Sequence, residues 1–254
     1  MRYHHNESSQ ITQKADIRIK GDVVVKTYIH SYQNQAKLDY KNLSMIQRYF
    51  SPIQHNGVTY RALSVVGHPQ TNAIVMEHFP GESLKDFFEK TKDPSIFYNM
   101  GYWLGMLHRS RYCTETHTVI AFWDYNRGNV LYDGTQMQTT AIDPECQGNL
   151  FSDPHESFAS GLRSVVRGAA AVAPSKILAC ASAYVIGYRE SAPASIFSHL
   201  RLRSVAAGVF QRTAKMHRIK PNLRHHMHKM PATLEALAVL IIAFFVLPKE
   251  VRRT

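Results

Sequence analysis

Three polar side chains around a predicted β-hairpin have the residue types that metal-assisted phosphate chemistry requires. Asp124 and Asn129 lie five residues apart in a polar loop, and Asp143 follows the second of two short β-like runs, residues 130–132 and 139–142. A divalent ion that bridges phosphate oxygens needs a carboxylate and an amide oxygen that face each other, with a further carboxylate beside the attacking hydroxyl. The alternative is an ordinary polar hairpin, because Asp, Asn and Gly are common turn residues.

The order of these residues resembles that of a known superfamily. The pattern Asp-x4-Asn at 124–129, followed by Ile-Asp at 142–143, resembles the catalytic and metal loops of kinase-like proteins. The sequence Gly-Asn-Val-Leu-Tyr-Asp-Gly at 128–134 is most similar to the aminoglycoside phosphotransferase and choline kinase branch. Protein kinases usually have Asp-Phe-Gly where this chain has Asp-Pro-Glu at 143–145. The resemblance implies an α+β, protein-kinase-like fold with a small mixed β N-lobe and a larger helical C-lobe.

The same resemblance implies a reaction and a role for each loop residue. The reaction is the ATP-dependent transfer of the γ-phosphate to a hydroxyl of a small molecule, a sugar or a lipid-linked glycan, with Mg²⁺. Asp124 is expected to orient the acceptor hydroxyl and to accept its proton. Asn129 and Asp143 are expected to hold Mg²⁺ against the phosphates. Arg127, inside the loop, either approaches the transferred phosphoryl group or stabilises the backbone.

Elements that precede the loop are expected to position the nucleotide. The β-branched run at residues 23–26 ends in Lys26, which matches the family lysine that binds the α- and β-phosphates. In the predicted helix 34–50, Asp39 occupies the position of the family glutamate that pairs with this lysine. The alternatives are a solvated strand end for Lys26 and an exposed helix carboxylate for Asp39.

A buried β-like run at residues 73–79 ends in a Pro-Gly pair that breaks the strand. It resembles the hinge between the two lobes of the family. By this resemblance, the Glu77 carbonyl and the Phe79 N–H bind the edge of the adenine. The nucleotide-binding candidates are thus Lys26, Asp39, Glu77, Phe79, Asn129 and Asp143.

Three segments are predicted along the chain. Residues 1–79 form the nucleotide-binding lobe, residues 80–233 the helical lobe with the catalytic and metal loops, and residues 234–254 an apolar helix with a basic tail. A β region is predicted at 58–66. Helical periodicity predicts further helices at residues 82–90, 94–112, 151–173, 175–191 and 195–217.

Two departures from the family pattern favour a second interpretation. The first residues of the chain contain no Gly-x-Gly-x-x-Gly loop, and only residues 6–10 offer small polar side chains for such a turn. Phe122 stands where the family usually has a histidine, two residues before the catalytic aspartate. The alternative function is therefore a pseudokinase-type nucleotide-binding or scaffold module without turnover.

Composition limits the class of protein. The 254 residues are 44% hydrophobic and 19% charged, which is typical of a folded chain and excludes a disordered one. The three cysteines are far apart, without a Cys-x-x-Cys spacing, so neither a zinc ribbon nor a disulfide framework is indicated. The first ten residues are polar and contain no apolar signal segment. A cytoplasmic protein is the prediction.

The positive charge is concentrated near one end of the chain. The net charge is +11, and residues 191–234 contain eight Lys or Arg and five His but no acidic residue. Such a field favours an anionic partner, with a solvated basic surface as the alternative. The apolar run 234–247 is too short to span a bilayer, which needs roughly 20 residues. We expect either a buried terminal helix or a peripheral anchor, with an anionic membrane surface contacted between Arg201 and Leu247; nucleic acid is not favoured.

Overall fold

The computed structural model describes residues 8–11, 15–67, 72–144, 150–200 and 241. The strands of this part of the chain are β1 (Ser8–Ile11), β2 (Ala15–Lys20), β3 (Val23–Tyr28), β4 (Ile53–His55), β5 (Val58–Tyr60), β6 (Val65–Gly67), β7 (Ala73–Glu77), β8 (Glu82–Ser83), β9 (Val119–Ile120), β10 (Val130–Asp133), β11 (Gln138–Ala141) and β12 (Phe151–Ser152). The helices are α1 (Gln33–Tyr49), α2 (Leu84–Thr91), α3 (Ile96–Ser110), α4 (Pro154–Val172), α5 (Ile177–Ser191) and α6 (Ala194–His199), with 3-10 turns at His30–Tyr32 and Pro174–Lys176.

An antiparallel sheet with the strand order β1-β2-β3-β7-β6 forms the first lobe. Strand β3 lies at its centre, between β2 and β7. Gly21, in the turn between β2 and β3, adopts a positive φ of 59° and closes a tight hairpin. Helix α1 packs against β3, β6 and β7. This arrangement places side chains of β3 that point toward α1 in a small buried core.

Helix α1 contributes to two separate hydrophobic cores. Ala36 and Leu43 belong to the small core beneath the first sheet. Ile46 and Phe50, one to two turns further on, belong to the large core of the helical lobe. The helix therefore connects the lobes through its packing as well as through the chain.

A second, mixed sheet carries the hairpin that the sequence singled out. Its order is β4-β5-β11-β10-β8, with β5 parallel to β11 and the other pairs antiparallel. Because β5 precedes the predicted hinge and β11 lies between Asn129 and Asp143, segments distant in sequence meet in one sheet. The hairpin β10–β11 is thus supported on both sides.

The helical lobe is built on the close contact of α3 with α5. Three glycines at this contact leave no room for a side chain: a Cβ added to Gly101 would lie 1.9 Å from the Tyr184 carbonyl oxygen, and one on Gly187 would lie 2.2 Å from the Tyr98 carbonyl oxygen. Gly105 faces Ser191 in the same way. Helix α4 packs against both. Its N-cap is Asp153, whose side chain accepts the His155 N–H, and Pro154 follows as the first helical residue.

The predicted two-lobe α+β fold is confirmed, and the differences are local. The β region predicted at 58–66 is two strands, β5 and β6, which belong to different sheets. The helix predicted from Glu82 begins at Leu84, because Ser83 accepts the Asp86 N–H as its N-cap and the two residues before the helix pair with β10.

The predicted last helix and tail fall mostly outside the described residues. Helix α6 ends at His199, and of the segment between Arg201 and Leu247 only Ile241 is described. No helix within the described ranges combines the length and the apolar character needed to cross a membrane. The division at residues 79 and 233 stays a prediction.

Candidate active site

Lys26 lies between two carboxylates, one from α1 and one from the exit of the β10–β11 hairpin. Its position on the central strand β3 directs the side chain toward α1. Its Nζ is 2.7 Å from Asp143 Oδ1 and 3.3 Å from Asp39 Oδ2, and only 12% of the side chain is exposed. The structure therefore brings together a residue from the first sheet, one from α1 and one from the exit of the hairpin.

The electrostatics of Lys26 favour its charged form. Burial lowers the pKa of the ammonium group, but attraction to Asp143 and Asp39, with hydrogen bonds to both, outweighs burial and leaves the pKa above its ordinary value. Lys26 is thus a fixed positive charge at the pH of a cell. Such a charge is suited to binding the oxygens of a polyphosphate.

Asp39 is almost wholly buried and is held by three neighbours. Its Oδ1 accepts the Gln35 Nε2–H at 2.8 Å, and its Oδ2 accepts the Tyr28 hydroxyl as well as Lys26. Burial raises the pKa of the carboxyl, attraction to Lys26 lowers it, and repulsion from Asp143 raises it again, so the pKa lies above its ordinary range. The hydrogen bonds from Tyr28 and Gln35 favour the ionised form.

The hairpin brings its entrance and exit residues to one end. Val130 pairs with Ala141 in the β10–β11 ladder, and the Ile142 N–H donates to the Asn129 carbonyl at 2.8 Å. Asn129 and Asp143 consequently lie at the same edge of the sheet. Asp143 has a φ of +60°, a left-handed backbone that is uncommon for a residue with a side chain and that clusters at functional sites.

Asn129 contacts the carboxylate predicted to act on the acceptor. Its Nδ2 donates to the Asp124 carbonyl at 2.9 Å and to the Asp124 Oδ2 at 3.3 Å. An amide oxygen and the Asp143 carboxylate are hard oxygen donors of the kind that Mg²⁺ binds, so the residues present fit the ion.

Helix α4 holds the loop from behind. The Arg127 N–H donates to Ser164 Oγ and its Nη1 donates to the Ser164 carbonyl, both at 3.0 Å. Burial lowers the pKa of the guanidinium group, and attraction to Glu89 only partly offsets it. Of the two roles that the sequence left open, the structure shows the stabilising contact.

Phe122 is fully buried at the position where the kinase-like proteins that the sequence resembles usually have a histidine. Its ring makes edge-to-face contacts with Trp103 and Tyr125, at centroid distances of 5.8 and 5.3 Å, and its N–H donates to Ser157 Oγ at 2.8 Å. Edge-to-face pairs of this kind add to the stability that burial provides. The segment that enters the loop is therefore fixed by packing.

The side chains of the predicted hinge residues, Glu77 and Phe79, contact an arginine. Arg61 forms an ion pair with Glu77, which also accepts the Ser64 N–H at 2.8 Å, and its guanidinium carbon lies 5.2 Å from the centroid of the Phe79 ring. Glu77 pairs with Val23, on the strand that carries the lysine. The hinge is thus connected to the first sheet by its backbone.

Three residues of the site were missed by the sequence analysis. Tyr28 lies two positions after Lys26, so strand periodicity places both on one face and gave a usable signal. Gln35 lies one helical turn before Asp39, which is a similar signal for a helix. Arg61 reaches the hinge only through the tertiary fold, and no local pattern indicates it. Within the described ranges, the candidate site included, no group of three or more His, Cys, Asp or Glu side chains is placed to hold a metal ion.

No protein-family model and no curated protein matches the chain. Solved structures do. The ternary complex of streptomycin, ATP and APH(2")-IIa has a TM-score of 0.55 at 10% identity and covers 95% of this chain and 93% of its own. Aminoglycoside phosphotransferase APH(4)-Ia has a TM-score of 0.58 at 12% identity, with 93% of each chain covered. A choline/ethanolamine kinase family protein from Mesorhizobium loti has a TM-score of 0.52 at 11% identity and covers 98% of this chain and 92% of its own. The chain therefore has the two-lobe, protein-kinase-like fold of these small-molecule phosphotransferases and kinases.

Proposed function

We propose that the protein is an ATP-dependent phosphotransferase that moves the γ-phosphate to a hydroxyl of a small molecule. The observation that carries this proposal is the position of Lys26 between Asp39 and Asp143. Asp143 lies at the exit of the β10–β11 hairpin, and the contact between Asn129 and Asp124 lies at its entrance. A buried, permanently charged ammonium group beside oxygen donors for a divalent ion is the arrangement that phosphoryl transfer requires.

The nucleotide is placed by residues of both lobes. Lys26 binds the α- and β-phosphates, and the backbone of residues 77–79 binds the adenine edge. Asn129 and Asp143 hold Mg²⁺, which when bound offsets the negative charge on the phosphates. Asp39 holds Lys26 in position from the opposite side of the ammonium group.

The acceptor hydroxyl meets Asp124. The carboxylate of this residue orients the hydroxyl and accepts its proton as the phosphorus–oxygen bond forms. The Asn129 amide donates to the same carboxylate and thereby fixes its direction. Structures with this fold include aminoglycoside phosphotransferases, a choline/ethanolamine kinase family protein and a glucosamine kinase, which supports a small-molecule acceptor. A sugar or the sugar end of a lipid-linked glycan offers the same hydroxyl chemistry.

A nucleotide-binding module without turnover is the alternative that the test must separate. Phe122, one of the two departures that suggested it beside the missing glycine-rich loop, holds the entrance of the loop by aromatic packing, and the Asp124–Asn129 contact is present. Loss of the histidine therefore does not remove the geometry that turnover needs. This observation favours the enzyme.

The decisive experiment combines binding with transfer. ATP is titrated by calorimetry with and without Mg²⁺, and ³²P transfer from γ-labelled ATP is then measured against a panel of aminoglycosides, amino sugars, choline and ethanolamine. We expect metal-dependent binding and transfer to at least one acceptor class, both lost in Lys26→Met. Binding without transfer to any acceptor supports the non-enzymatic module, and no binding at millimolar nucleotide overturns the proposal.

We place the reaction in the cytoplasm, with a nucleotide lobe at 1–79, a catalytic lobe at 80–233 and a terminal segment at 234–254. The segment between Arg201 and Leu247 makes reversible contact with an anionic membrane surface. The support is the basic composition after Arg201 and the apolar run that ends at Leu247. Co-sedimentation with liposomes of increasing anionic content tests it, for the full chain and for one that ends at Pro231. Salt-sensitive binding by the full chain alone is expected, and equal binding by both chains contradicts it.

A further inference from the structure

Tyr28 contacts both members of the Lys26–Asp39 ion pair. Side chains alternate along a strand, so Lys26 and Tyr28 lie on the same face of β3, toward α1. Tyr28 is 1% exposed, its hydroxyl donates to Asp39 Oδ2, and Lys26 Nζ lies 4.8 Å from the centroid of its ring. One aromatic side chain thus touches the carboxylate through its hydroxyl and the ammonium group through its ring face.

Two of the three side chains that donate hydrogen bonds to Asp39 are neutral. Gln35, one turn earlier on α1, donates to Oδ1 at 2.8 Å, and Tyr28 donates to Oδ2. Lys26 lies 3.3 Å from the same Oδ2 but 2.7 Å from Asp143. An aspartate is one methylene shorter than the glutamate that kinase-like proteins have at this position, and here the Tyr28 hydroxyl supports the shorter carboxylate at Oδ2 and the Gln35 amide supports it at Oδ1.

Because Asp39 is buried, its charge state depends on attraction to Lys26 and on the hydrogen bonds from these two donors. A carboxyl group removed from water favours its neutral acid, and hydrogen bonds from neutral donors to the oxygens favour the anion. If Asp39 were neutral, Lys26 would be attracted only to Asp143. The proposed function, however, gives Asp143 to the metal ion. Lys26 would then lose its one remaining anionic partner on the protein when the ion binds.

We propose that Tyr28 is a positioning residue that keeps Asp39 ionised and directed at Lys26, so that Lys26 stays in place for the nucleotide when Asp143 binds the metal ion. This inference rests on the proposed function for its purpose, but its electrostatic part concerns the protein without nucleotide. Tyr28 does not contact the reacting atoms. Its effect reaches the nucleotide through Asp39 and Lys26.

The first experiment needs no nucleotide. The Asp39 carboxyl carbon is followed by NMR as a function of pH in the full chain, in Tyr28→Phe and in the matched control Tyr32→Phe, whose ring is exposed. We expect Tyr28→Phe to raise the pKa of Asp39 further above its ordinary range, because one donor to the anion is lost. The control should titrate as the wild type does. An unchanged Asp39 pKa in Tyr28→Phe overturns the inference.

The second experiment measures the consequence for the nucleotide. Calorimetry at pH 7 should show Mg²⁺-ATP binding about tenfold weaker in Tyr28→Phe, the loss expected for one hydrogen bond to a charged group. Binding by this variant should also weaken at a higher pH than in the wild type, since Asp39 becomes protonated earlier. A purely structural effect of the substitution would leave that pH unchanged. Equal affinity and equal pH dependence in the two proteins overturn the positioning role.

A double substitution distinguishes positioning from simple damage. In Tyr28→Phe/Asp39→Glu the longer side chain carries the carboxylate toward Lys26, into the space left by the hydroxyl, and we expect most of the lost affinity to return. Asp39→Glu alone should weaken binding, because Tyr28 still occupies that space. Additive losses contradict the inference. If the wild type binds no nucleotide, the proposed function fails, and the NMR titration still decides the electrostatic role of Tyr28.

Discussion

Lys26 Nζ lies 2.7 Å from Asp143 Oδ1, so the residue assigned to the phosphates contacts the residue assigned to the metal ion. On the proposed assignment, binding of Mg²⁺-ATP would exchange this contact for one from the ammonium group to phosphate and one from the carboxylate to the ion. The exchange would leave both charged groups paired. It also makes nucleotide and metal binding mutually dependent, because each releases a partner that the other uses.

Asp143→Asn should separate these two dependences. The substitution removes the charge of a metal ligand, so we expect Mg²⁺-ATP to bind about 10- to 100-fold more weakly. ATP without Mg²⁺ should bind about as well as in the wild type, because Lys26 no longer has a competing anion at that position. Calorimetry with and without Mg²⁺ measures both, with the exposed Asp22→Asn as control. A variant whose affinity still rises with Mg²⁺ as in the wild type contradicts the assignment.

Asp124→Asn should affect turnover and leave binding nearly intact. The amide cannot accept the acceptor proton, and general-base catalysis of this kind contributes about 10²- to 10⁴-fold to a rate. We therefore expect kcat to fall by that order while the Kd of Mg²⁺-ATP changes less than about threefold. Steady-state transfer assays and calorimetry on the same preparation check this. Wild-type turnover by the variant shows that another group accepts the proton.

Arg61→Met should loosen the hinge. Arg61 pairs with Glu77, donates to Gln138 Oε1 at 3.1 Å, and its backbone N–H donates to the Thr139 carbonyl at 3.1 Å on β11. Methionine keeps the backbone contact and loses the ion pair, so we expect the free energy of unfolding to fall by about 1–3 kcal/mol. Urea unfolding measures it. Lys85→Met, at an exposed position on α2, is the control and should change stability by less than about 0.5 kcal/mol.

His108 should make the protein sensitive to acid. The ring is fully buried on α3, with Nδ1 2.8 Å from the Tyr188 hydroxyl, and burial lowers the pKa of His108 to about 3, although Asp153 nearby raises it and His155 lowers it further. Between this pKa and the unfolded pKa of 6.5, the unfolded chain binds the proton and the folded chain does not. This contribution to stability is therefore present above pH 6.5 and is lost as the pH falls.

The measurement is urea unfolding at pH 7, 6 and 5. The His108 contribution should decrease by up to about 1.4 kcal/mol per pH unit below the unfolded pKa. His108→Gln, which keeps a polar partner for Tyr188, should be less stable at pH 7 but should lose less on acidification. His30→Gln, at an exposed position, should follow the wild type. A His108→Gln curve parallel to the wild type shows that other groups cause the acid sensitivity.

The sequence predicted the elements that order local side chains, and the fold class is confirmed. Asp124, Asn129 and Asp143 were predicted from their order around a hairpin together with the resemblance to kinase-like proteins, and the ladder from Val130 to Ala141 brings the ends of that hairpin together. Lys26, at the end of a β-branched run, was predicted from the same resemblance. The catalytic and binding roles of these residues stay predictions, because geometry alone does not measure a reaction.

What the sequence did not predict depends on contacts across the fold. The parallel pairing of β5 with β11 brings residues near Thr59 beside residues near Gln138, and no turn or periodicity indicates a pairing at that separation. Arg61 reaches Glu77 for the same reason. The break between β5 and β6 was missed because both segments are β-like and no Gly or Pro between them marks where the chain changes sheets.

The packing of α1 in two cores has a mechanical consequence. If the lobes separated to admit a nucleotide, one end of the helix would leave its core, exposing either Leu43 on the first side or Ile46 and Phe50 on the other. Each such side chain costs about 1.5–3 kcal/mol to expose. Separation of the two cores at α1 would therefore cost several kcal/mol, so we expect the first sheet and the helical lobe to keep their relative position at this helix when a ligand binds.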